Sequence, residues 1–537
     1  MDGLNLGNQL DETTQELIIN MEKQLEEKDK EINDLKNQLA YLQGEILNKN
    51  RKIFGQSSEQ VDSNQISIFD EAEKNSNIKV AEPTIEEIVY KREKPSETGK
   101  KDNLAGLERV VIEHKLDDIK AFCNKCNSPL EIIGHKSKEV LKYIPAKLYI
   151  EEHVTYSYAC KPCKVELGDA NIVTTKGHES ILHKSMASNE LVAHVINMKY
   201  QHALPLYRQE TYFKMLGVNL SRQTLSNWIM SIAIELEPIY DLMKKELVKT
   251  KYIQADETTL KVIEDCGKDS KSKKYMWLYK TGPSIDPIIL YDYQKTRSSS
   301  CPKEFLKDFS GYLQTDGYTG YNKVENIKRL YCLAHIRRKF YDIVVNLDDE
   351  ALKKSRAIIG FNFCEQLYKI EKEVREEFVD KEDFFDKRYE VRLEKTAPLL
   401  KEFEEYVERE IRDALPKSAL GQALEYTRKL LPGMNLILED GALEIDNNAS
   451  ERSIKPFVIG RKNWLFSNTA KGARASALIY SIIETAKANN LVVEKYLVYL
   501  FNSLSAYGHK TLDDLKNILP WAETIPEELK ITSSNKK

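Results

Sequence analysis

Apolar residues recur every seven positions near the start of the chain. They fill both apolar positions of a heptad between residues 17 and 47, with one break at Lys28. The first position carries Ile18, Leu25, Ile32, Leu39 and Ile46, and the second carries Met21, Leu35 and Leu42. This spacing predicts a self-associating coiled coil, because such a stripe packs against another helix. A helix packed on its own chain has the same pattern, but no proline or glycine interrupts this repeat before Gly44.

Short apolar runs typical of strands begin at residue 252. They cover residues 252–262, 275–279, 288–291 and 311–315. The runs predict successive strands of a sheet, followed by helices. Asp256 lies within the first run, and Asp316 directly follows the last one. An unpaired buried carboxylate costs several kcal/mol, so both acids require a compensating cation.

Helical spacing dominates the rest of the chain. Residues 341–436 predict an all-helical insertion whose many acids are expected to be solvated faces. A third acid, Glu451, opens a helix that Asn447 is expected to cap. Residues 478–505 predict one or two further helices.

A helix-turn-helix pattern lies upstream of the first acid. A helix over residues 211–216 is followed by a turn at Gly217 and a second helix capped by Ser221. Trp228 is expected in the core, whereas the residues expected to face DNA bases are Arg222, Gln223 and Ser226. A plain helical hairpin has the same pattern.

Four of the eight cysteines are spaced as metal ligands. They form two C-x-x-C pairs, Cys123 with Cys126 and Cys160 with Cys163, separated by an apolar stretch expected to be rich in strands over residues 140–158. This arrangement predicts a structural, tetrahedral zinc site of four thiolates. Reduced structural cysteines or a redox pair are the alternatives.

Composition and charge indicate a multidomain globular chain. Its 537 residues are 41% hydrophobic and 31% charged, and length alone suggests about three to four domains. The sequence contains no apolar run of about 18 residues and no secretion signal, so a cytoplasmic location is expected. The formal net charge is only −4, but residues 452–474 hold six bases and no acid. These bases, expected to track DNA phosphates, are Arg452, Lys455, Arg461, Lys462, Lys471 and Arg474.

Asp256, Asp316 and Glu451 together predict a two-metal site. Two divalent cations stabilise the attacking and the leaving oxygen of a phosphodiester, and carboxylates are the ligands that Mg²⁺ prefers. Glu257 and Asp446 are alternative ligands. Cys332 and His335 form a C-x-x-H pair that either packs beside the site or binds a metal, and packing is favoured. Arg337 and Arg338, next to this pair, are further candidates for contact with DNA.

At this point the chain resembles the large, DDE-type transposase of the insertion sequence 66 family. The resemblance extends along nearly the whole chain. It includes the coiled coil, the four-cysteine module and the segments at residues 52–59 (KIFGQSSE), 199–200 (KY), 206–209 (LYRQ), 255–258 (ADET), 315–318 (TDGY), 332–338 (CLAHIRR), 447–452 (NNASER) and 484–489 (ETAKAN). One small departure is Asn490, where glycine is common.

The resemblance implies a transposase with a catalytic triad of Asp256, Asp316 and Glu451. It implies Mg²⁺ or Mn²⁺ at this triad, cleavage at inverted-repeat ends, and joining of the 3′-hydroxyl ends to target DNA. Expected partners are double-stranded DNA, a second copy of the chain and small accessory proteins, in association with the bacterial nucleoid. The alternative is a catalytically inactive, sequence-specific DNA-binding protein.

The expected fold is multidomain, with an α/β ribonuclease H-like core interrupted by the helical insertion. The expected domains are a coiled coil (1–50), a linker (51–106), a zinc-binding domain (107–175), a helix-turn-helix-like domain (176–248), the first part of the core (249–340), the insertion (341–440), the second part of the core (441–490) and a C-terminal helical segment (491–537).

Overall fold

The computed structural model divides the chain into two compact units. One contains residues 1–55 and 155–529, and the other contains residues 56–154 and 530–537. The structure describes residues 20–21, 23–25, 28–29, 32, 111, 146–159, 172–175, 177–183, 185–263, 273–345, 347–506 and 511–531. Among the described helices, none has the length and apolarity needed to cross a membrane.

The N-terminal parts of the chain are described only in fragments. Residues 20, 21, 23–25, 28, 29 and 32 are helical, and Met21, Leu25 and Ile32 of the heptad are exposed. The four predicted zinc ligands lie outside the described residues. The prediction of strands over 140–158 is wrong for residues 146–156, which form none. Among the described residues of this stretch, the strand is β1 (Ser157–Ala159), which pairs antiparallel with β2 (Ile172–Thr174).

A five-stranded mixed sheet forms the centre of the larger unit. Its strands are β3 (Tyr252–Leu260), β4 (Lys274–Thr281), β5 (Ile289–Gln294), β6 (Gly311–Thr315) and β7 (Ile327–Tyr331). Their order across the sheet is β5-β4-β3-β6-β7. The first three strands pair antiparallel, whereas β6 runs parallel to both β3 and β7. The carboxyl ends of β3 and β6 therefore lie side by side at the middle of the sheet.

Fifteen α-helices lie in the described part of the larger unit. They are α1 (Asn189–Tyr200), α2 (Leu206–Met215), α3 (Arg222–Glu235), α4 (Glu237–Leu247), α5 (Ser300–Phe305), α6 (Leu333–Val344), α7 (Asp349–Lys354), α8 (Ala357–Phe378), α9 (Phe384–Val391), α10 (Ala397–Asp413), α11 (Ala419–Met434), α12 (Asn448–Trp464), α13 (Ala470–Ala488), α14 (Val493–Ala506) and α15 (Leu512–Lys516). Helices α7–α11 form the insertion between β7 and the helix that carries Glu451.

The edge strand β5 is covered by α13. The backbone N–H of Ile289 donates to Thr485 Oγ1 at 2.9 Å, and that of Tyr291 donates to Ser481 Oγ at 2.8 Å. Both hydroxyls come from buried positions of α13. They take hydrogen bonds that an added strand would otherwise take, so this edge of the sheet is closed to further pairing.

The helix-turn-helix pattern is present, with one change in its boundaries. The first of its two helices is α2, which begins at Leu206 rather than near Thr211, directly after Pro205. Proline is favoured at the start of a helix because the N–H groups there have no carbonyl partners within the helix, so the missing N–H of proline costs little. Gly217 adopts φ +88°, which a residue with a side chain rarely takes. Ser221 caps α3 by accepting the N–H of Thr224 at 3.1 Å, and Trp228 is buried as expected.

Candidate active site

The register of β3 and β6 brings Asp256 and Asp316 to the same height. Gln254 pairs with Gln314 across these parallel strands. Asp256 and Asp316 are each two residues further along, so they share a face of the sheet with the two glutamines. Neighbouring strands lie about 4.8 Å apart, which makes the two carboxylates neighbours.

A network of side-chain amides attaches the start of α12 to this pair of strands. Gln254 Nε2 donates to Gln314 Oε1 at 2.7 Å, and Gln314 Nε2 donates to the carbonyl of Glu444 at 2.7 Å. Asn447 Nδ2 donates to the carbonyl of Ala255 at 2.9 Å. The first turn of α12, which carries Glu451, is thereby fixed beside Asp256.

The prediction that Asn447 lies at the cap of α12 is confirmed, but the side-chain bond typical of a cap is absent among the described residues. Asn447 occupies the N-cap position, but its amide is used for the bond to β3, and it makes no side-chain cap bond within the described part of the chain. Asp446 performs this function instead, since its Oδ1 accepts the N–H of Asn448 at 3.0 Å. A carboxylate is also stabilised at the start of α12 because helix N-termini carry partial positive charge.

The neighbouring acids and burial both act on the carboxyl group of Asp256. Burial raises the pKa of Asp256 to about 8, and the charges of adjacent Glu257, Glu451 and Asp316 contribute to the increase. Burial together with these neighbouring charges leaves Asp256 protonated at neutral pH unless a cation compensates. This donor set of hard carboxylate oxygens matches the ligand preference of Mg²⁺ and Mn²⁺.

The two alternative ligands are occupied by other partners. Glu257 lies on the opposite face of β3, where Oε1 accepts Arg297 Nε at 2.7 Å and Oε2 accepts the hydroxyl of Tyr321 at 2.7 Å. Asp446 caps α12 and accepts the hydroxyl of Tyr368 at 3.0 Å through Oδ2. Neither carboxylate therefore stands in for a member of the triad in this arrangement.

The C-x-x-H pair lies next to Glu451. One ligand atom each from Cys332, His335 and Glu451 falls within 4.8 Å of the other two. Cys332 is buried, which raises the pKa of its thiol to about 12, and its Sγ accepts the N–H of Asn447 at 3.2 Å. The structure thus places the pair beside Glu451 and gives the cysteine a contact with the start of α12.

The residues expected to contact DNA fall into two groups. Arg337 forms an ion pair with Glu365, and Arg461 donates to the Thr259 carbonyl, so both side chains join elements of the protein itself. The others are exposed or half-buried: Arg222, Gln223, Ser226, Arg338, Arg452, Lys455, Lys462, Lys471 and Arg474. Within this second group, Gln223 donates to Asn227 Oδ1 at 2.9 Å on its own helix.

Two further groups of residues hold the site's elements in place, and they were not predicted from the sequence. The first is the pair Gln254 and Gln314, whose signal was a Gln-x-Asp repeated in two strands. The second is Glu371, buried against Arg388 and Arg392. The expectation that all acids of the insertion are solvated is therefore wrong for Glu371. Its spacing does not distinguish it from the exposed glutamates around it.

Asp256→Asn is expected to change how stability depends on pH. The pKa of Asp256 rises from 3.8 unfolded to about 8 folded, so the folded protein holds a proton that unfolding releases. Stability without divalent cations therefore falls as pH rises through this window. Urea unfolding in chelator should show the variant gaining on the order of 2–4 kcal/mol over wild type between about pH 5.5 and 8.5. Parallel pH curves for both proteins would contradict this.

Comparison with known proteins agrees with this organisation. A family model described as "Transposase IS66 family" matches residues 184–475, which include all three acids. A "zinc-finger binding domain of transposase IS66" matches residues 120–164, which include the four cysteines and support structural zinc. "Transposase C of IS166 homeodomain" matches residues 41–112.

Relatives among curated proteins match about three quarters of this chain. The "Uncharacterized protein y4jD" of Sinorhizobium fredii (strain NBRC 101917 / NGR234) is 28% identical over 74% of this chain and 77% of its own length. The "Uncharacterized protein y4qI" of the same strain is 29% identical over 78% of this chain and 76% of its own length. No solved structure matches. Because the first family model covers more than half of the sequence, the chain belongs to the IS66 transposase family.

Proposed function

We propose that the protein cleaves DNA at the inverted-repeat ends of an insertion sequence and joins the freed 3′-hydroxyl ends to target DNA. The convergence of Asp256, Asp316 and Glu451 carries this proposal. The mixed sheet, with two acids at its centre and a third on a helix that packs over it, supports a ribonuclease H-like core.

The triad would hold the divalent cations. Asp256 and Asp316 would supply carboxylate oxygens from adjacent strands, and Glu451 would complete the set from the first turn of α12. When bound, a pair of cations about 3.5–4 Å apart stabilises the attacking and leaving oxygens of the phosphodiester. The amide network of Gln254, Gln314 and Asn447 would hold the elements that carry the three carboxylates in place before DNA binds.

DNA would approach along the exposed bases of α12 and α13. Arg452, Lys455 and Lys462 lie on the same helix as Glu451, and Lys471 and Arg474 lie in the first turns of the next helix. A strand held by these side chains would be directed toward the acids. Sequence readout would come from α3, through Arg222, Gln223 and Ser226.

Reversing charge at Lys455 and Lys462 tests this path. The double substitution to glutamate is expected to weaken binding to any duplex and to reduce the slope of log affinity against log salt by roughly two, since about one counterion is released per phosphate contact. Fluorescence anisotropy at several salt concentrations measures both quantities. Lys401→Glu, an exposed lysine of α10, is the matched control. Equal salt slopes in all three proteins would remove this surface from the DNA path.

The activity itself is tested with DNA that carries the element ends. The full-length protein should nick end DNA in Mg²⁺ or Mn²⁺, and it should join pre-nicked ends to a target plasmid. Binding to the ends without any metal-dependent nicking or joining, with the accessory proteins supplied, would instead favour a catalytically inactive DNA-binding protein.

A further inference from the structure

The C-x-x-H segment connects α6 directly to the helix that carries Glu451. The N–H of Leu333 donates to the carbonyl of Ile445 at 3.1 Å, and the N–H of Asn447 donates to Cys332 Sγ at 3.2 Å. Both bonds join the first residues of α6 to the residues that precede α12. The position of His335, in the first turn of α6, is thereby fixed relative to Glu451.

The imidazole of His335 is directed toward this junction. A ring nitrogen lies within 4.8 Å of a Glu451 oxygen and of Cys332 Sγ. Its Nδ1 is buried and makes no hydrogen bond to any described part of the chain. A buried ring nitrogen without a partner costs free energy, so an imidazole that has one and also lies beside a carboxylate requires an explanation.

A metal held by Cys332, His335 and Glu451 is one explanation, but the cysteine argues against it. Cys332 is fully buried and its sulfur already accepts a backbone hydrogen bond. That bond holds the start of α12, so recruiting the sulfur to a metal would disturb the helix that positions Glu451. Histidine and glutamate alone leave too few ligands for a closed site.

We propose that His335 is a positioning residue for Glu451. Through a hydrogen bond, made directly after a small rotation of the carboxylate or through one water, the imidazole orients Glu451 toward Asp256 and Asp316. A glutamate side chain has several rotatable bonds, so a fixed partner reduces the entropy lost when its carboxylate binds a cation. This inference rests on the proposed function, because it assigns a partner to a member of the same triad.

Binding of Mn²⁺ to the full-length, zinc-loaded protein tests the proposal without requiring DNA cleavage. His335→Leu introduces an apolar side chain of similar size that cannot form the hydrogen bond, and we expect it to weaken Mn²⁺ affinity about tenfold. His335→Gln retains an N–H donor and is expected to restore most of the affinity. A role in packing alone predicts the reverse order of these two variants.

The matched control is His194, which also lies beside a glutamate. Its Nδ1 is 3.0 Å from Glu494 Oε1, at a junction of α1 and α14 away from the triad. His194→Leu should leave Mn²⁺ affinity unchanged. Thermal melting of each variant identifies any that fail to fold. If His335→Leu fails to fold, His335→Gln is compared with His335→Asn, whose shorter side chain places its N–H out of reach of Glu451. Weaker Mn²⁺ binding by His335→Asn than by His335→Gln then supports the positioning role.

Failure of this inference differs from failure of the proposed function. If Asp256→Asn and Asp316→Asn abolish Mn²⁺ binding but His335→Leu does not weaken it, the positioning role is overturned and the triad stands. If Mn²⁺ binding is unaffected by Asp256→Asn and Asp316→Asn, the triad itself is wrong. If Cys332→Ser lowers bound zinc by one atom per chain, the cluster is a metal site and the positioning role is overturned.

Discussion

Asp256→Asn, Asp316→Asn and Glu451→Gln are each expected to abolish cleavage of end DNA. Each substitution removes a negative oxygen ligand, and metal ions contribute several kcal/mol to stabilising the transition state of such reactions. Because each 1.36 kcal/mol corresponds to a tenfold change in rate, we expect losses of about a thousandfold or more. The measurement is single-turnover nicking of a labelled element end in Mg²⁺.

The losses should be confined to chemistry. Binding of each variant to the same DNA is expected to stay within a few-fold of wild type in the presence of chelator, since no carboxylate of the triad is needed to hold phosphates. Asp286→Asn, at an exposed turn of the same sheet, is the matched control and should cleave normally. Wild-type cleavage by Asp316→Asn would remove this residue from the mechanism.

Glu371→Ala is expected to destabilise the insertion by about 3–5 kcal/mol, as is typical when one partner of a buried ion pair is removed. Glu371 Oε2 accepts Arg388 Nε at 2.8 Å, and Oε1 accepts Arg392 Nε at 2.7 Å. Both arginines are buried, so the substitution leaves Arg388 with Glu444 alone and Arg392 without an ion-pair partner in the described part of the chain. Chemical denaturation of the full-length protein measures the loss.

This substitution also reports on the site. Arg388 Nη2 donates to Glu444 at 3.0 Å, and the carbonyl of Glu444 accepts the bond from Gln314 that orders the segment before α12. Destabilising the insertion should therefore lower cleavage as well as stability. Glu373→Ala, an exposed position of the same helix paired with Lys369 at 3.9 Å, should change stability by less than about 0.5 kcal/mol. Equal effects of Glu371→Ala and Glu373→Ala would contradict the importance of the buried network.

The pH response of the buried network follows from the same charges. Arg392 and Arg388 outweigh the effect of burial and hold the pKa of Glu371 below its ordinary value. Its contribution to stability is therefore present above the unfolded pKa of about 4.5 and is lost as pH falls through the lower, folded pKa. Asp256 has the opposite sign, since its raised pKa makes its contribution worsen as pH rises.

The sequence was most informative where one residue type had to satisfy a strong physical constraint. Asp256 within one apolar strand and Asp316 directly after another were singled out because an uncompensated carboxylate is costly there, and their role as metal ligands stays a prediction. Helical spacing predicted the insertion, and the Ser-capped helix after Gly217 was found as expected.

Details that depend on tertiary contacts could not be read from the sequence. Asn447 is a good N-cap by residue type, yet its amide bonds to Ala255, which is 192 positions away. Glu371 is one of many glutamates on amphipathic helices, and only the packing of α9 against α8 buries it. The role of His335 depends on the distance to Glu451, which spacing along the chain does not fix.

The most direct test of the central claim is the location of divalent cations in crystals of the full-length protein soaked in Mn²⁺. The account predicts anomalous scattering peaks among the carboxylates of Asp256, Asp316 and Glu451, about 3.5–4 Å apart if both cations bind. Occupied Mn²⁺ sites elsewhere, with the three acids left without a cation, would contradict a metal-dependent polynucleotidyl transferase.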